Sequence, residues 1–153
     1  MYYRGINKFQ YEAERGKLLP KGRHFVYYIK FGTFKFGETK FGKSDADSER
    51  KSLIGHQENS NVFKTSGVSF TPHYKRALYY AFHNNKFDEG YVIAVDRDRF
   101  IKYSITEFIV KEKATKYNFD VKFPEDDEVI LVHKDDGELP KGIITDIFFV
   151  KRN

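Results

Sequence analysis

A chain of 153 residues has room for one compact domain, and 27 basic against 22 acidic residues give it a formal charge of +5 and a pI near 9.2. The absence of cysteine excludes disulfides, thiolate metal sites and a cysteine nucleophile. Mean hydropathy is −0.64, and apolar runs such as Ile147–Val150 fall far short of the roughly 20 residues of a membrane helix, so no membrane partner is expected. The first residues lack the apolar stretch of a secretory signal, which points to the cytoplasm of the producing cell or of a target cell as the place of action. With 16 Phe, 11 Tyr and no Trp, aromatic rings must supply much of the core. The positive charge suits an anionic partner, or serves solubility alone.

In chain order, Met1–Ile6 reads as a strand, with β-favouring Tyr2, Tyr3 and Ile6 around Arg4, and Gly5 allows close approach to the backbone. Lys8–Lys17 has modest helical character, closed by Gly16 and followed by the turn Leu18–Gly22. In Phe25–Gly42 the tripeptide Lys-Phe-Gly occurs at Lys30–Gly32, Lys35–Gly37 and Lys40–Gly42, too short a period for a solenoid. Asp45–Glu58 is polar enough for a helix or a loop. Thr65–Thr71 predicts a strand. Pro72–Asn84 predicts a helix with Thr71 as its cap and Ala77, Leu78, Ala81 and Phe82 as its buried stripe. Tyr91–Val95 is a core strand, Asp96–Arg99 a turn, and Phe100–Val110 gives mixed signals. Lys111–Pro124 reads as a charged connection. Glu128–Val132 and Ile143–Val150 are the last strands, separated by turns over Asp135–Gly142. The pattern is that of an α+β domain, with two packed sheets.

Three short pieces carry candidate chemistry: Tyr3-Arg4-Gly5, Ser69-Phe70-Thr71-Pro72, and Asp126-Asp127-Glu128 before an apolar strand. Singly, each has an ordinary explanation: a surface cation, a common helix start, and a solvated acidic turn. In this order they resemble the cholera-toxin-like branch of the mono-ADP-ribosyltransferases, whose signature is Arg, then Ser-Thr-Ser, then Glu-x-Glu. The resemblance extends to Arg15–Gly22, like that family's Gly-x-Leu-Pro-Arg-Gly turn, and to Gly137–Pro140 followed by the aromatic strand Ile147–Val150.

The resemblance implies a single catalytic domain over residues 1–153, built as two mostly antiparallel sheets with flanking helices around an NAD⁺ cleft. It implies cleavage of the nicotinamide–ribose bond of NAD⁺ as co-substrate, without a metal, and transfer of ADP-ribose to a macromolecule. Protein side chains, arginine among them, are the expected acceptors, with RNA or DNA as the alternative. By the same resemblance Glu128 is the catalytic carboxylate, Ser69 orients it, and Arg4 contacts the phosphates. Gly5 holds the nicotinamide carboxamide through its backbone, and Thr71 and Phe82 complete the cofactor-binding set. Asp126 stands where the family commonly has Glu or Gln and helps to choose the acceptor. Phe70 and Thr71 stand where the family has Thr and Ser. Lys111–Asp127 corresponds to the acceptor-presenting loop, with Tyr117, Phe119 and Phe123 either touching the target or packing in the core. The family also suggests a toxin or effector role, an immunity or antitoxin protein as a further partner, and a monomer.

The residue types suit that chemistry. Positive charge develops on the ribose as the glycosidic bond breaks, and a nearby carboxylate stabilises it. A planar, multidonor guanidinium matches phosphates better than an ammonium does. The five histidines, His24, His56, His73, His83 and His133, form no His-Glu-x-x-His pattern, so zinc is not expected. No phosphate-binding Gly-rich loop and no dinucleotide fingerprint occurs. The Lys-Phe-Gly segment fits a β-meander, a flap over the cleft, or a site for single-stranded nucleic acid. A nucleic-acid-binding module without catalysis is the competing function.

Overall fold

The computed structural model describes residues 1–22, 49–54, 56 and 67–153. The Lys-Phe-Gly segment therefore lies outside the described residues, as do parts of the Asp45–Glu58 and Thr65–Thr71 expectations. Two three-stranded antiparallel sheets make up the α+β architecture. The first has the order β1 (Tyr2–Asn7), β3 (Glu89–Val95), β6 (Ile144–Lys151); the second has the order β2 (Val68–Phe70), β5 (Val129–His133), β4 (Ile105–Ile109). Helix α1 (Lys8–Ala13) follows β1, α2 (Tyr74–Ala81) follows β2, and α3 (Val110–Tyr117) follows β4. Residues 49–54 are also helical. Among the described residues no helix is long and apolar enough to cross a membrane.

The central strand β3 is apolar on both faces because both are covered. Ile93 and Val95 enter the core between the sheets with Phe70, Leu131 and Ile143, while Val92 meets Ala77 and Ala81 of α2. Those alanines lie one helical turn apart and are fully buried. Their small size lets α2 press onto the backbone of β1, and Gly5 completes the fit. A Cβ at Gly5 would lie 1.7 Å from the carbonyl oxygen of Ala77. The close approach that Gly5 permits is thus, in part, the approach of a helix.

Local signals explain the ends of α1. The Asn7 side chain accepts from the Gln10 N–H at 2.9 Å, satisfying one of the first-turn donors. Arg15 and Gly16 then turn left-handed, with φ of 55° and 70°. The buried residues Leu18 and Leu139 form a bridge that ties the first turn to the 135–142 turn.

Two expectations change. Pro72–Asn84 gives a helix, but it starts at Tyr74 with His73 in the capping position, and no side chain caps it. The Thr71 hydroxyl instead accepts from the His73 N–H at 3.1 Å, a turn of the chain ahead of the helix. The supposed connection Lys111–Pro124 begins as helix α3, whose buried stripe is only Val110 and Ala114 before left-handed Asn118 ends it. Two small apolar residues in a run of lysines are too faint a periodic signal to stand out.

Candidate active-site cleft

The two sheets meet where β1 and β2 touch. Tyr3 and Thr71 form an antiparallel bridge, with N–H···O distances of 2.7 and 2.9 Å. This joins the Arg4 strand to the Ser69 strand. Glu128 immediately precedes β5, whose Val129 and Ile130 pair with Phe70 and Ser69. A cleft of about 440 Å³ opens there, lined by Arg4, Gly5, Ser69, Thr71, Asp126 and Glu128 among others. Its size is within the few hundred to about 1,000 Å³ usual for small-molecule and cofactor sites.

The Ser69 hydroxyl donates to Glu128 Oε2 at 2.5 Å. His56 Nε2 lies 2.6 Å from the same hydroxyl and 3.5 Å from Glu128 Oε2. A serine has one hydroxyl proton, so with that proton on Glu128 the Ser69 oxygen accepts and His56 Nε2 donates. The order is histidine, serine, carboxylate. In a nucleophilic serine triad the histidine stands in the middle and withdraws the serine proton. Here Ser69 is a hydrogen-bonding arm that fixes a carboxylate, with side chains of His56 and Glu128 only 7% and 15% exposed.

Arg4 reaches across from β1, and its Nη1 donates to the Ser69 carbonyl at 3.1 Å. Burial lowers its pKa, while Glu14 and Glu128 act in the opposite direction. A guanidinium starts so high that it stays charged. A permanent cation and a largely buried carboxylate thus line one cleft. On β1, Tyr3 turns its N–H and C=O toward Thr71, and strand alternation directs those of Gly5 to the same edge.

Asp126 differs from the expectation of an acceptor-reading carboxylate. It is buried, one oxygen accepts from Arg76 Nε at 2.6 Å, and the other accepts from the Tyr80 hydroxyl. Its carbonyl accepts from the Thr71 hydroxyl at 2.5 Å. Burial and the Asp126 bond push the Tyr80 phenol above its ordinary value. For Arg76, burial works downward but the Asp126 bond prevails and raises it. Asp126 is therefore a strut between α2 and the acidic turn. Asp127, in the left-handed region at φ 45°, turns the chain so that Asp126 and Glu128 face different partners. Lys111 and His73 bond the Asp127 carboxylate and hold it below the ordinary carboxylate range.

The structure brings Arg4, Gly5, Ser69, Thr71, Asp126 and Glu128 together and leaves three expected residues aside. Phe82 sits at the C-cap of α2 outside the cleft lining, where its neighbours Tyr80 and His83 are found. Tyr117 and Phe119 pack against the core cluster of Leu53, Phe108 and Ile130, and the Tyr117 hydroxyl bonds Glu49. Because α3 carries Tyr117 inward, these two rings serve packing, whereas exposed Phe123 lines the cleft. Sequence reasoning missed His56, Arg76 and Tyr80. Arg76 and Tyr80 stand at i, i+4 on one helix face, a spacing that would have paired them. Nothing local marks His56. Among the described residues no group of three or more histidines and carboxylates is placed to hold a metal ion.

The NarE family model matches residues 1–126, and the chain belongs to that family. The matched span holds Arg4, Ser69, Arg76, Tyr80 and Asp126 and stops just short of Glu128. No curated protein and no solved structure matches the chain.

Proposed function

We propose that the chain is an NAD⁺-dependent mono-ADP-ribosyltransferase with an ADP-ribosyltransferase fold, NAD⁺ being bound in the cleft between the two sheets. The single observation that carries this reading is the Ser69–Glu128 hydrogen bond of 2.5 Å beside the part-buried Arg4. The donor set fits the co-substrate: a fixed cation for the pyrophosphate, a strand edge at Gly5 for a carboxamide, and a held carboxylate for the ribose. NAD⁺ supplies the electrophilic ribose carbon and nicotinamide as leaving group. Glu128 stabilises the charge that develops on the ribose, and it does so best if its carboxylate is already oriented, which is the work of Ser69 and, through Ser69, of His56. The Glu128 side chain is only 15% exposed and Arg4 is part-buried, so these charges act at a lower effective dielectric than in bulk water.

The test is nicotinamide release from NAD⁺ by the whole chain, with and without a cell lysate as source of acceptor. Release by the wild type and its loss in Glu128→Gln is the expected result. Absence of release from the folded wild type under every acceptor condition would overturn the assignment.

A further inference from the structure

We infer that the outer edge of β6 is a self-association site, to which a second copy of the chain adds its own β6, antiparallel, about a two-fold axis centred on Phe149. The resemblance alone suggests a monomer. β6 ends its sheet in the order β1-β3-β6, and among the described residues no strand pairs with its other side. Such an edge displays a row of backbone N–H and C=O groups, which proteins commonly blunt with short strands, lysines, prolines or bulges. β6 has little of this protection. It is eight residues long without a proline, its one lysine stands at the last position, and its register shift lies at Ala94/Val95, ahead of the run Asp146–Lys151.

Its side chains are those of a strand covered on both faces. Ile147, Phe148 and Phe149 are 43%, 40% and 51% exposed, and as consecutive residues they project to alternate faces. Phe149 meets Tyr91 at 5.3 Å on one face, and Phe148 meets Tyr74 at 6.1 Å on the other. A strand with one solvated face alternates apolar with polar residues, whereas an unbroken apolar run belongs to a strand with neighbours above and below.

Backbone direction and charge set the register. The Arg152 N–H donates to the Asp88 carbonyl at 2.8 Å, so the Arg152 backbone faces β3. Strand alternation then turns the groups of Val150 and Phe148 toward β3 and those of Ile147, Phe149 and Lys151 outward. A two-fold axis that continues the sheet stands perpendicular to it. Centred on Phe149, it sets Phe149 opposite Phe149 and Ile147 opposite Lys151 of the second copy, so the outward groups exchange ladder bonds. Between these pairs, Phe148 lies opposite Val150 of the second copy and Asp146 opposite its Arg152. Asp146 and Arg152 are both exposed, and the two-fold uses their attraction twice. Arg152 also bonds Asp88, but that partner is 73% exposed, and a guanidinium with five donors has others left for Asp146. Centring on Phe148 instead would set Asp146 against Val150 and Thr145 against Lys151. One strand that carries both halves of a matched ion pair at two-fold-related positions singles out a second copy as its occupant.

Sedimentation velocity follows the whole chain from about 1 to about 100 μM at about 0.15 M salt, where the +5 charge of each copy is screened over about 8 Å. A concentration-dependent shift from monomer to dimer is expected, and a monomer throughout overturns the inference. Phe149→Lys sets two like charges at the axis from an exposed position. It is expected to stay monomeric with the circular dichroism of the wild type, and undiminished dimerisation also overturns the inference. Asp146→Arg and Arg152→Asp decide the register whether or not that variant folds. Each alone places like charges opposite one another twice and is expected to weaken self-association about tenfold. Mixed in equal amounts, the two chains restore opposite charges across the axis, and a dimer of one of each is expected at close to wild-type affinity. A mixture that associates no better than its components overturns the two-fold pairing. Nicotinamide release enters none of these readouts.

Discussion

Asp126 and Glu128 are separated by one residue on one turn, yet their surroundings differ in kind. Asp126 is enclosed by Arg76, Tyr80 and, through its carbonyl, Thr71, so its charge is spent on tying α2 to the turn. Glu128 accepts from Ser69, lies 3.5 Å from His56 Nε2, and lines the cleft with Arg4. The difference teaches that an acidic pair read from sequence need not be a functional pair. What differs is the partner each carboxylate meets: a buried one bonded to the cation and phenol of a neighbouring helix braces that helix, while one fixed by a serine beside the cleft stays directed at the cleft.

Breaking each side in turn separates the two roles. Glu128→Gln keeps size and removes charge, and nicotinamide release is expected to fall roughly a hundredfold to a thousandfold with the urea midpoint little changed. Gly5→Ala sets a Cβ against helix backbone that cannot rotate away, so unfolding in urea should show a loss of about 3 kcal/mol. Asp126→Ala leaves Arg76 and Tyr80 without their shared partner. Because Arg76 keeps some access to water, a destabilisation of about 2 kcal/mol is expected, again by urea. Its effect on nicotinamide release should be far smaller than that of Glu128→Gln, the reverse of what an equal pair would give.

Ser69→Ala removes one hydrogen bond to a charged group, worth about 1.5–2 kcal/mol, so kcat should drop on the order of tenfold to thirtyfold with KM nearly constant. The smallest effect concerns pH. Tyr80 has a raised folded pKa, so its bond to Asp126 contributes in full below its ordinary value of 10.0 and is lost as pH rises beyond it. Alkaline unfolding should start earlier in the wild type than in Tyr80→Phe relative to each protein's stability at neutral pH, as followed by circular dichroism. Equal slopes above that pH would remove Tyr80 from the strut.

Much of the strand and helix order was legible. Tyr91–Val95 and Ile143–Val150 are strongly β-forming, and Ala77 and Ala81 mark a helix face. Helix α3 was not, since Val110 and Ala114 are its whole buried stripe. In the site, Arg4, Ser69 and Glu128 were legible through their order and context. The bonds of Asp126 to Arg76 and Tyr80 were not, because they span 50 and 46 residues and need α2 packed on β1 before they can form.

By itself the sequence determined the residue types available and the local elements that carry them, since periodicity, turns and caps act between near neighbours. Only the tertiary structure decided what each charge meets. Gly5 and Ala77 let α2 close onto β1, and the Tyr3–Thr71 bridge joins β1 to β2. That packing gives Arg76 and Tyr80 to Asp126, and Ser69 to Glu128, and hydrogen bonds of about 3 Å or less exist only after it.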